Sequence, residues 1–402
     1  MRIFSRKLNN LLFASVITAI TFTSCTTNDE IITEQPLTII ESSSPIEGQY
    51  TVVFRDNYEG KSSRKTLTYD AEMTQLRKEI PTMFSELNLT SENLKQTYGF
   101  ALNGFTATLS KNQLDLLRKD SKVKSIEQDY IIALGKPSWV GGGDTTDPAQ
   151  EIPWGITRIG GATDGTGKTA WIIDSGIDSD HPDLNVDVNR SKSYVDKGKY
   201  TIEDGNGHGT HVAGTVAALD NNIGVIGVAA GATIVALRVL DNRGSGSFSW
   251  TIAALDYVAA NGSVGDAVNM SLGPNSRYTD TAVDNAAINV ASLGIKVAIA
   301  AGNSSDDALY YSPARANHTN IYTVSAMDIF DNFASFSNYG SPVDVCAPGV
   351  SVKSTWKDGS YNTISGTSMA SPHVCGLLLL GIHTDGFVNN DPDGNADPIA
   401  HN

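Results

Sequence analysis

Beyond Ile152 the chain alternates short, wholly apolar runs with helical stretches, and that alternation leaves few folds open. The runs are Thr169-Ala170-Trp171-Ile172-Ile173, Ile234 to Val239, Ala267 to Met270 and Val297 to Ala300. Helical patterns fall between them, as at Gly209 to Ala218 and Ser249 to Ala260. A strand apolar on both faces has no solvent side, so it belongs to a parallel sheet covered above and below. The expected class is therefore α/β, a mainly parallel sheet in three layers. In such sheets, sites form beyond the carboxyl ends of the strands. Several runs end there in polar residues beside glycine: Asp174-Ser175-Gly176, Asn269-Met270-Ser271-Leu272-Gly273 and Ala301-Gly302-Asn303.

Upstream the pattern is short and mixed. Tyr50 to Phe54, Gly104 to Leu109 and Val123 to Ile132 read as strands, and Ala71 to Leu87 and Lys111 to Lys119 as helices. That order is a small α+β domain, placed at 48–135. A glycine- and proline-bearing linker follows at 136–148, with Gly141-Gly142-Gly143 at its centre. The larger domain takes 149–402.

The first residues are an address. Arg2, Arg6 and Lys7 precede an apolar stretch from Leu11 to Phe22, too short to span a bilayer but sized for a secretory signal. It ends in Phe22-Thr23-Ser24-Cys25, which resembles the lipobox of bacterial lipoproteins, with Cys25 the lipidated residue. A plain signal peptide with an incidental cysteine is the alternative. Residues 1–25 are thus an export signal and 26–47 a polar tether. Export makes the protein extracellular or a cell-surface lipoprotein precursor, and the lipid anchor is its one expected membrane contact. The net charge of −15 with no Lys/Arg-rich run argues against nucleic acid as a partner. Three cysteines are too few for a disulfide scaffold, though the sequence leaves open a Cys346–Cys375 pair.

Three segments carry chemistry: Asp174-Ser175-Gly176-Ile177-Asp178, Asn206-Gly207-His208-Gly209-Thr210-His211-Val212-Ala213-Gly214, and Ser365-Gly366-Thr367-Ser368-Met369-Ala370-Ser371-Pro372-His373. They supply an acid, an imidazole and a hydroxyl in the order Asp…His…Ser. A serine hydroxyl is a weak nucleophile and needs an adjacent base. Histidine is the side chain best suited to take and return that proton near neutral pH. Taken singly, Asp174 reads as a helix cap and Asn303 as a turn residue. Their joint occurrence with the His208 and Ser368 motifs overrides both readings. His211 lacks the glutamate of a zinc protease's H-E-x-x-H and is assigned, with His181 and His373, to packing.

The chain resembles the subtilisin family of serine proteases, on the long motifs around His208 and Ser368 and on their order. The resemblance implies a subtilisin-like three-layer fold preceded by an inhibitor-type propeptide. It makes Asp174, His208 and Ser368 the catalytic triad of a serine endopeptidase acting on polypeptides. Asp174 would orient the imidazole. Asn303 would join the Ser368 N–H in stabilising the oxyanion; losing such a donor costs ~10²–10³ in kcat, a magnitude known from a subtilisin itself. Gly244-Ser245-Gly246 and Ser271-Leu272-Gly273 are similar to the family's substrate edges, and Ala300-Ala301-Gly302 would complete the wall of the first specificity pocket. No acid enters that pocket, so a broad apolar or aromatic preference is expected.

The resemblance also implies structural Ca²⁺. A first site would take Gln150, Asp183, Leu219, Asn221, Ile223 and Val225, hard oxygen donors suited to the ion. A second, weaker site would take Thr319, Ile321 and Asp344. The tail Asp391 to Asp397 begins like an EF-hand loop but has no closing glutamate, and reads as a polar, turn-rich end. Gly48 to Phe54 and Ile126 to Asp129 are similar to subtilisin propeptides. They imply an intramolecular inhibitor and a first cut between Leu134 and Gln150. The enzyme is expected to act as a monomer. The rival readings are a catalytically weak peptide-binding protein or an esterase on the same fold.

Overall fold

The structure, a computed structural model, describes residues 43–55, 68–134, 138–139, 148–196 and 201–402. By internal contacts the chain divides into Met1–Ile39 and Ile40–Asn402, and every described residue belongs to the second unit. The expected export signal, Cys25 and the tether through residue 42 lie outside the described residues, as do linker residues 140–147. Among the described residues no helix is long and apolar enough to cross a membrane.

The N-terminal part is built from β1 (Pro45–Phe54), α1 (Tyr69–Met83), β2 (Leu94–Tyr98), β3 (Gly104–Thr108), α2 (Lys111–Leu117) and β4 (Val123–Ala133). β1 lies between β3 and β4, antiparallel to both, and β2 flanks β3. Val52, Phe54 and Phe105 of the sheet pack with Leu76 and Ile80 of α1. Ser110 starts α2 through a capping box with Gln113, satisfying two backbone donors reciprocally. α1 stops at Met83, four residues short of the expected end, and a separate 3₁₀ turn covers Ser85–Leu87. Asn88 then takes a left-handed conformation that no helix continues.

The larger part contains β5 (Thr169–Asp174), α3 (His208–Ala217), β6 (Thr233–Arg238), β7 (Ser245–Ser247), α4 (Phe248–Asn261), β8 (Ala267–Met270), α5 (Thr281–Ser292), β9 (Lys296–Ala300) and β10 (Ile321–Met327). It continues with β11 (Val345–Pro348), β12 (Val352–Trp356), β13 (Ser360–Ser365), α6 (Thr367–Leu380), β14 (His383–Phe387) and β15 (Pro398–His401). The main sheet runs β14-β15-β11-β10-β9-β8-β5-β6, with Lys192–Ser193 on the far edge. Its pairs are parallel except β14–β15. Successive residues feed opposite layers, as a pleated strand requires. Trp171, Ile173, Val235 and Leu237 pack with α4 and α5, while Ala170, Ile172, Ile234 and Ala236 pack with α3 and α6.

The chain end departs from the sequence reading. Asp391–Asp397 is a turn, as expected, but it closes a hairpin whose strand β15 joins the sheet beside β11. Asp397 is buried there and accepts a hydrogen bond from the Ser325 hydroxyl at 2.6 Å. Cys346 on β11 and Cys375 on α6 are buried free thiols and form no disulfide.

The small sheet packs on α4 and α5 through a shared apolar cluster that includes Tyr98, Leu102 and Ile132, with polar contacts at the helix ends. Asp129 accepts from Ser249 N–H at 3.0 Å and Glu127 from Thr281 N–H at 2.6 Å, so two carboxylates meet the N-termini of α4 and α5. Free N–H groups and the helix dipole favour negative charge at those positions. In the reverse direction, Asp256 of α4, fully buried, accepts from the backbone N–H of Phe100 and Ala101, both at 2.7 Å. Hydrogen bonds to charged groups are each worth about 1.5–3 kcal/mol, and orphaned buried donors add to the loss. Asp256→Ala should therefore speed amide exchange at Gly99–Leu102 by at least about tenfold. Hydrogen exchange of the full chain, read by mass spectrometry, checks this.

Candidate active site

β5 delivers Asp174 at its carboxyl end, fully buried. The carboxylate oxygen Oδ1 accepts from Ser175 N–H at 2.7 Å and faces His208 Nδ1 at 2.8 Å. His208 is the first residue of α3, and backbone closeness puts it there. A Cβ on Gly209 would lie 2.1 Å from the Gly176 carbonyl oxygen, so only glycine lets the two segments meet. Asp204 fixes the approach to the helix. It accepts from Ser175 Oγ and Gly207 N–H at 2.8 Å, and from Thr210 N–H and Oγ at 2.8 and 2.7 Å. It stands three residues before the N-cap, Gly207, so no capping signal of ordinary spacing marks it in the sequence.

Ser368 is the second residue of α6, and its hydroxyl donates to the Ser271 carbonyl at 3.4 Å. Pro372 lies four residues further on and has no N–H to offer the Ser368 carbonyl. Ser271 Oγ donates to that carbonyl instead, at 2.9 Å. Asn269 in turn donates to Ser271 Oγ at 2.9 Å and accepts from Ser371 Oγ at 2.8 Å. The serine turn is thus tied to the end of β8 by side chains. Asn303 holds its amide oxygen to Thr367 N–H and Oγ, at 2.8 and 2.9 Å. The amide nitrogen faces Gly366, 3.6 Å from where a Cβ would stand.

A cavity of about 300 Å³ opens beside Ser368, lined by Leu272, Gly273, Ala300, Ala301, Gly302 and Tyr311 among others. The residues expected at one substrate edge and the pocket wall therefore line one space. At the other edge, β7 extends the small sheet antiparallel to β4, pairing Gly246 with Ile132 and Ser245 with Ala133. Leu134 N–H donates to the Gly244 carbonyl at 2.9 Å. Ser138–Trp139 pairs antiparallel with β13, Ser138 opposite Ser365.

His211 and His373 are fully buried, and burial pushes them down to about 3 and about 4, so both are neutral packing groups. His211 Nε2 lies 3.0 Å from the Val352 carbonyl. His181 Nε2 similarly meets the Ser360 carbonyl at 3.0 Å. Gln150, Asp183, Leu219, Asn221 and Val225 come together. Asn221 donates to Asp183 at 2.8 Å, Val225 N–H to Asp183 at 3.0 Å, and Gln150 to the Leu219 carbonyl at 2.8 Å. Ile223 N–H bonds Asn221 Oδ1 at 2.7 Å and anchors the same loop. Burial raises the Asp183 carboxyl to about 6. Asp344 accepts from Thr323 N–H at 2.9 Å; Ile321 lies two residues before Thr323, at the start of β10, and Thr319 is in the preceding turn. Burial raises the Asp344 carboxyl as well.

Residues 165–384 match the family model described as the subtilase family. The chain belongs to the subtilase family. Residues 49–134 match the peptidase inhibitor I9 model, so this is a subtilisin-type serine protease with an I9 propeptide. It is 37% identical over 358 residues to alkaline serine protease ver112 of Corniculantispora psalliotae, covering 85% of this chain and 82% of that one. It is 42% identical over 291 residues to subtilisin E of Bacillus subtilis, covering 69% and 70%. A crystal structure of a cold adapted subtilisin-like serine proteinase overlays with a TM-score of 0.54 at 38% identity, covering 61% of this chain and 96% of that one.

The close approach at Gly209 yields a direct expectation for this subtilase. Gly209→Ala forces a methyl group against Gly176 O and toward Asp174 Cβ. Overpacking of this kind costs about 1–3 kcal/mol and shifts backbone. The variant should melt several degrees lower and lose kcat, with KM less affected, because His208 moves with its neighbour. Thermal melts and peptide hydrolysis check both effects.

Proposed function

We propose that this subtilase is an exported endopeptidase, made as an autoinhibited zymogen, that cleaves peptide bonds through Asp174, His208 and Ser368. One observation carries the reading: Leu134, at the end of the inhibitor domain, lines the same cavity as Ser368. Leu134 N–H is held at the Gly244 carbonyl, and Ser138 is paired opposite Ser365, three residues before Ser368. These anchors support a first cut between Leu134 and Ser138, inside the Leu134–Gln150 interval read from the sequence.

Ser368 Oγ attacks the carbonyl carbon as His208 Nε2 takes its proton, and Asp174 steadies the imidazolium through Nδ1. The oxyanion forms within reach of Ser368 N–H and the Asn303 amide, donors already oriented before reaction. The C–N bond then breaks as His208 returns the proton to the leaving amine. Water, deprotonated by the same imidazole, releases the acyl group. Polypeptide enters as an antiparallel strand on β7, so main-chain bonds supply affinity with little sequence preference. None of the described residues lining the pocket is charged, which supports a broad apolar or aromatic preference at the scissile residue. Where Cys25 carries lipid, the cut parts the anchor from the peptidase.

Calcium fits the Gln150–Val225 loop. The Asp183 carboxylate and the Leu219 and Val225 carbonyls gather there around the Gln150 and Asn221 amides, whose NH2 groups donate to them. With both amides turned to present oxygen and the Ile223 carbonyl added, the set would be the hard-oxygen kind this ion takes. Its part is structural.

Purified full chain should convert to a shorter form whose N-terminus lies within 135–138, while Ser368→Ala stays intact. N-terminal sequencing of both proteins decides, and equal conversion of Ser368→Ala rules out self-cleavage. Chelator should lower the Tm by about 5–10 °C, the shift for a site filled near 100 times its Kd. Calcium needs the ionised carboxylate of Asp183, whose proton is held up to about pH 6 by burial. The calcium-dependent part of the Tm should therefore shrink as pH falls through 6, and melts with and without calcium from pH 5 to 8 read it.

A further inference from the structure

One fully buried side chain laces the loop that carries Asn303. Asn338 donates from Nδ2 to the Ala301 carbonyl at 3.0 Å and accepts at Oδ1 from Ser304 N–H and Asp306 N–H, at 2.9 and 3.2 Å. Its own N–H donates to the Gly302 carbonyl at 2.8 Å. The backbone on each side of Asn303 is thus bonded to a single residue thirty-five positions away. Gly302 makes room for this: its φ is +107°, and a Cβ there would stand 2.5 Å from Asn338 Nδ2. The task calls for a donor and an acceptor on one short planar group. Aspartate lacks the donor, serine lacks the reach, and glutamine is one methylene too long.

We propose that Asn338 is a positioning residue for the oxyanion site. Thr367 sets the rotation of the Asn303 amide. Asn338 sets the backbone from which that amide projects. An oxyanion donor works only when it is in place before charge develops, so a loop free to shift loses transition-state stabilisation without losing the donor itself. The proposal rests on the oxyanion role given to Asn303 above.

A double-mutant cycle tests it. Wild type, Asn303→Ala, Asn338→Ala and the double variant are each matured by trace tagged wild-type enzyme, which is then withdrawn through its tag. kcat and KM are measured separately on a peptide anilide. Asn338→Ala should lower kcat about tenfold in the native background, and by less than about twofold in the Asn303→Ala background. A merely structural loss would lower both backgrounds alike, and that equal loss overturns the positioning role while leaving the Asn303 assignment standing. An unchanged kcat in Asn303→Ala itself removes the oxyanion assignment, and the positioning role with it. Where Asn338→Ala does not fold, Asn338→Asp enters the same cycle. It keeps the acceptor for Ser304 and Asp306 but not the donor to Ala301, and should show the same dependence on background with a smaller loss.

Discussion

The burial of α6 is the constraint on which the rest of the site depends. Every residue from Thr367 to Leu379 is buried, so the helix has no solvent face and only one way to lie under the sheet. Its first turn, carrying Ser368, is thereby fixed against the ends of β8 and β9. Pro372 then frees one carbonyl in that turn, and Ser271 bonds it. The helix axis comes from apolar packing and its rotation from side-chain hydrogen bonds. The division suits a nucleophile, because packing alone tolerates small slips that directional bonds do not.

Much of this was legible in the sequence, and the exceptions have physical causes. The apolar runs at Ala267–Met270 and Thr169–Ile173 announce central strands because both of their faces are covered. β10 gives a weaker signal: Thr323 and Ser325 face partners, the Ala314 carbonyl and Asp397, which no local pattern can supply. β14 is exposed along its whole length, so nothing apolar marks it as a strand. The residues around His208 and Ser368 could be read because their chemistry sits in contiguous motifs. Asp204, three residues before the N-cap Gly207, was not marked by capping spacing. Nor was Asn338, since a buried amide serving a loop far away in sequence looks like any loop asparagine.

Polar groups also do much of the work between the two parts of the chain. Carboxylates of the inhibitor domain face helix N-termini of the peptidase domain, and Asp256 faces backbone N–H groups in return. Rings add to this: Tyr130 stacks on Tyr278 at 3.7 Å between centroids. Tyr98, Leu102 and Ile132 of the inhibitor domain share one apolar cluster with Phe248 and Ile252, and the directional groups around it fix its register.

The pairing of β7 with β4 has a consequence for how the protein can change. That edge meets its partner through main-chain atoms, and its glycines offer no side chain with which to tell one partner from another. With substrate docked on this edge as proposed, inhibitor and substrate would be read by the same atoms in the same register. A substitution that straightens or stiffens the edge would strengthen both together, and one that distorts it would weaken both. Catalytic appetite and self-restraint are thus a single inherited trait at this strand. They can diverge only where the inhibitor domain touches surfaces a short peptide never reaches, as it does at Asp256.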